Sequence, residues 1–429
     1  MAGSSFANVN KALAVTYDRP FRGKVGWSKG ALAGMIRKTQ GYGITGPVIP
    51  IRSGNSPAVS NTFASAQTIA TTQFTKTEQF NPAWVKKYGV AQIDGLLMAA
   101  AESDGGLYDK FCVQLDGILD GTMNQFSCDI YRSGFGSIGR VASAAQYAAA
   151  GLTVNSTTLL LANPEDIVHW GRGIQFQGAS TDGASVLRGA PDTVTVTGIL
   201  SLQQGTIGLS GALGANIVSG DFLFPLGNRQ NSATPTPLAI PGLDAWFPVT
   251  APSTTDFTGA NRSADALLLG TIIDTTTGGG VGLNKEDCAI EAITASARYG
   301  GNPEEMVYFT NPTNYKQLIT TGMSKFRPTQ VSGPYNVGFR GATIETNNGE
   351  IKVIYDKYCP VQRSYLIDMS TIKFYGCGSP EVPRFINADG VGNVLRMTSE
   401  DSVESRVGFY GVTGCNNPVV NVVVNHSNT

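Results

Sequence analysis

A long apolar stripe constrains the fold of this 429-residue chain more than any other feature. Between residues 107 and 131, mostly apolar side chains recur at steps of three or four, the spacing of one face of an α-helix. They are Leu107, Phe111, Leu115, Ile118, Thr122, Phe126 and Ile130. Asp104 can cap the start of this helix and Gly134 follows its end, as is typical of helix termini. Because such a helix is about 37 Å long, the rest of the fold must pack along it.

The residues before this helix have a different character. The segment from 47 to 80, PVIPIRSGNSPAVSNTFASAQTIATTQFTKTEQF, is rich in Ser, Thr, Gly and Pro. Its Thr-rich end predicts an extended hairpin, but the segment is too polar to bury a core of its own. A stretch of this kind is either disordered or an arm that packs on another subunit. Helical periodicity is expected from Pro82 onward.

The residues after the helix predict an α+β chain. Residues 151–230 carry short strands separated by Gly, Asn and Asp turn signals, which indicates a small barrel or sandwich. Residues 231–280 are dominated by loops, with Trp246 and Phe247 as local anchors. A second amphipathic helix then ends at Gly300-Gly301, and its predicted apolar face consists of Cys288, Ile290, Ile293 and Ala297.

The C-terminal part alternates strands with one more helix. MVYFTNP predicts a short buried strand, and NPTNYKQLITTG predicts a helix capped by Asn311 or Thr313. Residues 342–375 predict strands with a hairpin turn at Asn347-Asn348-Gly349. SVESRVGFYGVTGCNNPVVNVVV adds further strands at the end.

The charge content limits which kinds of molecule the chain can bind. The chain has 31 Lys and Arg against 32 Asp and Glu, and only 15% of its residues are charged, compared with about 25% in an average soluble domain. We expect much of this sparsely charged surface to face other protein. The balance argues against tight nucleic-acid binding without sequence preference, because that needs clustered Lys and Arg. No apolar run is long enough for a membrane helix and no export signal is recognised, so the chain is predicted to be soluble and unexported.

The cysteines and histidines give no strong chemical signal. The six cysteines include no C-x-x-C pair, so zinc ribbons and redox dithiols are not expected. Cys112 and Cys128 lie on one predicted helix about 24 Å apart, so they cannot bridge, and reduced thiols are predicted. His169 is placed on a strand or turn and His426 near the C-terminus. Neither has a Ser, Cys or carboxylate beside it in a triad-like pattern.

Two other patterns contain carboxylates that could form a catalytic or a metal site. The acidic pairs at 165–166, 286–287, 304–305 and 400–401 are typical of helix starts and turns rather than of a glycosidase. Asp116 and Asp120 lie four residues apart on the long helix, where a solvated face is expected rather than a metal site. We therefore predict no catalytic, cofactor-binding or metal-binding residues, and no enzyme activity.

Residues 134–139, GFGSIG, match the G-x-G-x-x-G pattern of dinucleotide-binding loops. In such loops a strand leads into the motif and a helix leaves it, so that the pyrophosphate meets the helix N-terminus. Here the order is reversed, since the motif follows the long helix and precedes a β-region. We interpret it as a helix-terminating loop in which glycines take positive φ.

Several quoted segments resemble, in the same order, parts of the major capsid proteins of tailed bacteriophages, which have the HK97-like fold. The long helix with GFGSIG is similar to the family's spine helix and the glycine loop behind it. GLDAWFP, FTGANRSADALLLG, GGNPEE with YFTNPTNYKQLI, and ESRVGFYGVTGCNNP are similar to later segments. The resemblance covers nearly the whole chain and is weakest in residues 151–230, as in members that insert an extra β-domain.

The resemblance implies a role for each part of the chain. The predicted parts are an N-terminal arm (1–45), an extended loop (46–85), the spine helix with the first part of a peripheral domain (86–150), an inserted β-rich domain (151–230), a peripheral connection (231–285), an axial domain (286–375) and peripheral return strands (376–429). Some members form Lys to Asn links between subunits, and Lys76, Lys86 and Lys87 lie at a suggestive place for them, although lysines at the base of a loop are usually solvated. A scaffold is expected to be a separate protein.

The implied function is that of a shell subunit without enzymatic activity. It would form pentamers and hexamers of an icosahedral phage head around double-stranded DNA, with itself, a portal protein, a separate scaffolding protein and a possible decoration protein as partners. It would be assembled in the host cytoplasm and reside in the virion. The alternatives are an encapsulin-type cellular compartment, to be distinguished by its gene neighbourhood, and a β-rich carbohydrate-binding protein or hydrolase, which would be a monomer with an acidic cleft.

Overall fold

The fold is seen in a computed structural model of the protein. It describes residues 30–94, 106–154, 156–183, 185–188, 194–213, 217–250, 257–276, 282–322, 327–328, 342–346, 349–386, 395–397 and 401–426. Most of the predicted N-terminal arm, and the predicted turn residues Asn347 and Asn348, lie outside this part of the chain.

The helices are few compared with the strands. The α-helices are α1 (Ala31–Met35), α2 (Phe63–Thr72), α3 (Gly106–Asp129), α4 (Ala144–Ala149), α5 (Leu243–Trp246), α6 (Lys285–Arg298) and α7 (Pro312–Gly322). Short 3₁₀ helices are η1 (Pro164–His169), η2 (Ala266–Leu268), η3 (Pro303–Glu305) and η4 (Pro418–Val420).

The strands form four sheets in the described residues. They are β1 (Arg37–Gly41), β2 (Ile49–Gly54), β3 (Lys76–Phe80), β4 (Val85–Asp94), β5 (Gly139–Arg140), β6 (Thr158–Leu160), β7 (Gln175–Ala179), β8 (Val194–Ser201), β9 (Thr206–Leu209), β10 (Phe222–Pro225), β11 (Thr271–Asp274), β12 (Met306–Thr310), β13 (Arg327–Pro328), β14 (Ala342–Thr346), β15 (Gly349–Tyr355), β16 (Arg363–Asp368), β17 (Ile372–Cys377), β18 (Arg384–Phe385), β19 (Leu395–Arg396), β20 (Ser402–Cys415) and β21 (Val422–Asn425).

The predicted long helix is confirmed as α3, which begins and ends within two residues of the expected bounds. Its core-facing side buries Leu115, Leu119, Met123 and Phe126. Phe126 packs edge to face against Phe374 and Phe409 of the sheet beneath it, with ring centroids 5.2 and 5.3 Å apart. Burial of these large side chains is the main force that holds the helix on the sheet.

That sheet is organised by β20, the longest strand. β4 pairs antiparallel with β20 along one edge, while β17, β18 and β19 pair with successive parts of its other edge. The helical periodicity predicted from Pro82 onward was wrong here, because β4 is a strand whose alternate residues Val85, Lys87 and Ala91 are buried. An alternating pattern of this kind has the period of a strand with one covered face.

A small β-barrel follows the long helix. Its antiparallel strands run in the order β5-β10-β7-β8-β9-β6. A bridge between Val141 and Leu161 joins the two ends of the sheet, so the ring of strands is closed. The β-rich segment was expected from residue 151, yet its first strand already begins at Gly139. Fully buried side chains fill the interior, among them Phe176, Phe224 and Ile207.

A seven-stranded mixed sheet forms the remaining core, in the order β11-β21-β16-β12-β15-β14-β13. The predicted strand β12 is buried at every position. The predicted helix α7 is confirmed, and Asn311 Oδ1 caps it by accepting a hydrogen bond from the Thr313 amide at 3.0 Å. Strands β11 and β21 belong to this sheet although both lie outside residues 286–375, so the axial and peripheral parts are interleaved along the chain. The division into domains stays a prediction.

The predicted second helix is confirmed as α6, and its predicted apolar face is correct in part: Cys288 is buried and Ile293 packs partly buried against the core, whereas Ile290 and Ala297 are exposed. The buried residues are Glu286, Cys288, Ala289, Ala292, Ala295 and Ser296. Ile290 is 41% exposed. Small side chains face the sheet because they let the helix backbone lie close to strands β11, β21 and β16. Hydrophobicity alone therefore misplaced Ile290 and Ala297 on the buried side of this helix.

Candidate functional site

An arm leaves the body of the protein between residues 49 and 80. Its strands β2 and β3 pair antiparallel, as the predicted hairpin requires. The Thr-rich stretch between them was expected to be extended, but it forms the helix α2, which buries none of its residues. Phe63 is 83% exposed and Phe74 is 74% exposed. An exposed helix of this length, with aromatic side chains in water, lacks the packing that normally stabilises helices.

The base of the arm is anchored firmly in the body. Ile49, Ile51 and Phe80 are buried. The Phe80 ring lies 5.0 Å from that of Trp246, and Phe257 packs against both rings. The prediction that Trp246 and Phe247 act as anchors is confirmed, since they are 2% and 0% exposed.

A stacked arginine closes this aromatic cluster. The Arg262 guanidinium lies 3.9 Å from the centroid of the Phe257 ring. It also donates to the backbone carbonyls of Ala245 and Trp246 at 2.8 and 3.0 Å. Burial lowers the pKa of Arg262 to about 10. The cluster therefore fixes the direction in which the arm leaves, while the register of β2 and β3 shifts between Arg52 and Gly54, further along the arm.

The C-terminal end of α3 is a junction that joins all parts of the fold. Asp129 there forms a buried ion pair with Lys87 of β4 at 3.3 Å. The Tyr131 hydroxyl donates to Asp356 Oδ2 at 3.0 Å, beyond the end of β15. Arg132 Nη2 lies 2.7 Å from Asp166 Oδ1 in η1 of the barrel. Three side chains within a stretch of four residues thus contact three different elements.

The same junction reaches the first turn of α5. The amides of Leu243 and Asp244 donate to the carbonyls of Ile130 and Tyr131. The Asp244 carboxylate in turn pairs with Arg363 and accepts from the Tyr365 hydroxyl. Burial and the adjacent carboxylate raise the pKa of Tyr365 well above its ordinary value, so the hydroxyl stays a donor at neutral pH.

GFGSIG lies directly behind this junction, and its interpretation as a helix-terminating loop is confirmed. Gly134 has φ +95° and Gly136 has φ +83°, a region that side chains rarely adopt. The helix precedes the motif, and Gly139 is the first residue of a barrel strand. The backbone therefore has the reverse of the order that a pyrophosphate site requires.

Both histidines lie beside nucleophile-type side chains that the sequence did not place near them, with His426 buried and His169 partly buried. His169 lies in η1, rather than on a strand, with Nε2 3.8 Å from Cys128 Sγ and 3.5 Å from Arg132 Nη2. Burial, helped by Arg132, lowers the pKa of His169 well below its ordinary value. Burial raises the pKa of Cys128 to about 12. Thiol and imidazole are both neutral at pH 7, which is the opposite of an activated pair.

The second pair has the same character. His426 Nε2 lies 2.8 Å from Ser364 Oγ, which also contacts Thr310 Oγ1 at 2.8 Å. Burial lowers the pKa of His426 to about 3, with Lys285 as a smaller cause. Among the residues that the structure describes, none hydrogen-bonds to His426 Nδ1. A serine–histidine pair needs an orienting carboxylate at this atom to act as a triad.

Four carboxylates named in the sequence analysis lie on the surface or bind other side chains of the fold. Asp116 and Asp120 are exposed on α3, as expected of a solvated face. Asp166 pairs with Arg132, and Glu165 Oε1 accepts from the Thr313 hydroxyl at 2.8 Å. Within the described residues, no group of three or more His, Cys, Asp or Glu side chains could hold a metal ion. None of the described helices is long and apolar enough to cross a membrane.

The three candidate lysines differ in their surroundings. Lys76 and Lys86 are exposed, whereas Lys87 is only 9% exposed and is held by Asp129 and by Asn228 Oδ1 at 3.3 Å. Lys87 is therefore turned into its own chain and not available to a neighbouring subunit.

A solved phage capsid structure shares the architecture of the chain. The chain matches the capsid asymmetric unit of cyanophage A-1(L) over 93% of its own length and 92% of that chain, with a TM-score of 0.54 and 10% sequence identity. The predicted α+β, HK97-like capsid fold is thus confirmed. Two further structures match less well. The capsid of an empty GTA particle has a TM-score of 0.42 and 7% identity, with 93% of this chain and 90% of that chain covered. Gordonia phage Cozz has a TM-score of 0.39 and 10% identity, with 93% and 86% covered. No protein-family profile and no curated protein matches the chain.

Proposed function

We propose that the protein is a major capsid protein that assembles with copies of itself into the pentamers and hexamers of an icosahedral phage head. The observation that carries this proposal is the fold, which is shared with a cyanophage capsid protein over nearly the full length of both chains. Because a shared fold does not by itself imply a shared function, the surface of the chain must supply further support.

The arm supplies that support. Its base is fixed by the cluster of Phe80, Trp246, Phe257 and Arg262, whereas its outer part presents Phe63 and Phe74 to solvent. Exposed aromatic side chains on an anchored arm are typical of a surface that contacts another protein. A second copy of the same chain is the partner that a symmetric shell provides.

The low charge of the chain fits a container that holds double-stranded DNA without binding it tightly. With 31 basic and 32 acidic residues, the chain has no excess of the side chains that release counterions from phosphates. The shell would contain the DNA mechanically and would work without an enzymatic reaction. A portal protein, a separate scaffolding protein and a decoration protein are its proposed further partners, and the virion is its proposed location.

Electron microscopy of the purified full-length protein tests the proposal. We expect capsomers or closed shells, either directly or after co-expression with a scaffolding protein. A preparation that stays monomeric at high concentration under both conditions would contradict the proposal.

A further inference from the structure

A strained turn, residues 257–260, lies against the base of the arm. Phe257 and Ala260 exchange backbone hydrogen bonds at 2.9 and 3.1 Å, so only two residues lie between them. Thr258 has φ +51° and Gly259 has φ +101°. Turns with positive φ at both central residues normally carry Asn, Asp or Gly there, because a β-branched side chain rarely adopts positive φ. Among the described residues, Thr258 is the only non-glycine residue with positive φ.

The side chain of Thr258 does not offset this strain. Asn and Asp can occupy the left-handed region because their side chains hydrogen-bond to the local backbone. The Thr258 hydroxyl is buried, and no residue that the structure describes hydrogen-bonds to it. The strained turn must therefore be held in its conformation by contacts with other parts of the fold.

Those contacts are made where the arm rejoins the body. The Asn81 amide donates to the Thr258 carbonyl at 2.6 Å, and Asn81 directly follows Phe80, the last residue of β3. A Cβ on Gly259 would come within 3.2 Å of Asn81 Nδ2 and 3.7 Å of the Gln79 carbonyl oxygen. Because the direction of the Thr258 carbonyl depends on the backbone angles of the turn, the strained conformation and the bond to the arm are coupled.

Both ends of the strained turn are fixed in the body. The Phe257 ring lies 5.0 Å from the Trp246 ring and is covered by the Arg262 guanidinium at 3.9 Å. Ala260 is 0% exposed. A conformational change can therefore be confined to the two central residues of the turn and leave the aromatic cluster intact.

We propose that the strained turn is a conformational switch that holds or releases the base of the arm. In the held state, Thr258 has positive φ and its carbonyl accepts from the Asn81 amide. In the released state, Thr258 relaxes to the negative φ that is ordinary for threonine, its carbonyl turns away, and the Asn81 amide loses this partner. The strain that is relieved and the hydrogen bond that is lost are similar in size, so the two states differ little in free energy.

The switch acts on the direction of the arm. Asn81 lies between β3, which belongs to the arm, and β4, which belongs to the body. Phe80 stays packed against Trp246 in both states. Two points of attachment, at Phe80 and at Asn81, fix the direction of the arm, whereas one point lets the arm turn about it. The switch works within a single chain and does not depend on shell formation.

Amide hydrogen exchange of the full-length protein, measured by mass spectrometry at single-residue resolution, tests the proposal. Thr258→Asn places at positive φ a residue that tolerates it, so the held state gains stability. We expect the Asn81 amide to exchange about tenfold more slowly in this variant, the factor that relief of such strain implies. In the wild type, Asn81 should be less protected than the Phe247 amide, which donates to the Leu243 carbonyl at 2.7 Å. Its exchange should also be insensitive to low urea, because release exposes little surface.

Three further variants serve as matched comparisons. Gly259→Ala disfavours the held state, because alanine is strained at φ +101° and its Cβ presses on Asn81, so exchange of the Asn81 amide should accelerate. Gly282→Ala makes the same change at a glycine with φ +82° and open space around it. Thr234→Asn repeats the first substitution at an exposed threonine. The last two variants should leave the exchange of Asn81 unchanged.

Three results would overturn the proposal. The first is a wild-type Asn81 amide as protected as that of Phe247, because Asn81 would then open only together with the aromatic cluster. The second is unchanged or faster exchange of Asn81 in Thr258→Asn. The third is an equal effect of Gly259→Ala and Gly282→Ala on Asn81, which would show that the turn has no particular link to the arm.

Discussion

Arg132 Nη2 lies 2.7 Å from Asp166 Oδ1, and this ion pair fastens the end of the long helix to the barrel. Both side chains are largely buried, with 14% and 7% of their surfaces exposed. Burial and the neighbouring carboxylate act in opposite directions on the guanidinium, and the pKa of Arg132 ends above its ordinary value. A charge held in this way depends on its partner, because removing one side leaves the other unpaired and buried.

Asp166→Asn tests how much this ion pair contributes to stability. We expect the free energy of unfolding to fall by about 3 kcal/mol or more, the usual cost of leaving a buried charge without its partner. Chemical denaturation would measure it. The matched control is Glu291→Gln, which breaks the exposed pair with Arg298 at 4.0 Å and should cost under about 1 kcal/mol. Equal losses in the two variants would contradict the prediction.

Gly134→Val tests the backbone role of GFGSIG. Gly134 has φ +95°, and a Cβ there would lie 3.1 Å from the Cα of Pro241. A β-branched residue should therefore cost about 2–3 kcal/mol in unfolding free energy through backbone strain. Gly117→Ala is the control, because Gly117 lies in α3 with open space around it, and alanine should stabilise the helix by about 0.5–1 kcal/mol. A neutral Gly134→Val would remove the conformational requirement.

The buried histidines predict that the fold loses stability in acid. The pKa of His426 is about 3 in the folded protein against 6.5 in its ordinary state, so the unfolded chain binds the extra proton between these values. Stability is thus retained above about pH 6.5 and decreases as the pH falls toward about 3, by up to about 1.4 kcal/mol per pH unit for this group.

His426→Gln provides the comparison for the acid prediction. Carboxylates also titrate in this range, so the relevant quantity is the difference between wild type and variant in urea unfolding at about pH 7 and about pH 4. The variant should show the shallower dependence. Parallel dependences in the two proteins would exclude His426 as a source of acid sensitivity.

Phe63→Ser combined with Phe74→Ser tests the arm. Both rings are exposed in the single chain, so we expect the stability of the unassembled protein to change by less than about 0.5 kcal/mol. The yield of shells in electron microscopy should nevertheless fall strongly, because the rings would be buried only between copies. Val186→Ser replaces a 55% exposed side chain of the barrel region and should assemble normally. Full yield with the double variant would show that the arm tip is not an assembly contact.

The elements predicted well from sequence are those whose signal is local. Helix α3 carries a long run with one clear period, strand β12 is a short apolar run, and Gly134 carries the backbone signal of a helix end. Strand β4 was predicted as helix, although the burial of its residues alternates with the period of a strand. The α6 face was predicted only in part, because the sheet beneath it selects small side chains over Ile290.

The junction at the end of α3 could not be predicted from sequence. Lys87, Asp129 and Asn228 are individually ordinary residues, and only the pairing of β4 with β20 and the closure of the barrel bring them together. The contacts of His169 with Cys128 and of His426 with Ser364 depend in the same way on tertiary packing. The spacing of residues along the chain does not reveal such tertiary contacts.

The chain enters the barrel at β5 and leaves it after β10, and these two strands are neighbours. Phe222 of β10 pairs with Arg140 of β5, and residues paired in this way lie only about 5 Å apart. A short turn is long enough to bridge that gap, but the barrel also supplies Asp166 as the partner of Arg132 at the end of the long helix. A different insert between β5 and β10 is therefore compatible with this framework only if it brings an acidic side chain back to Arg132.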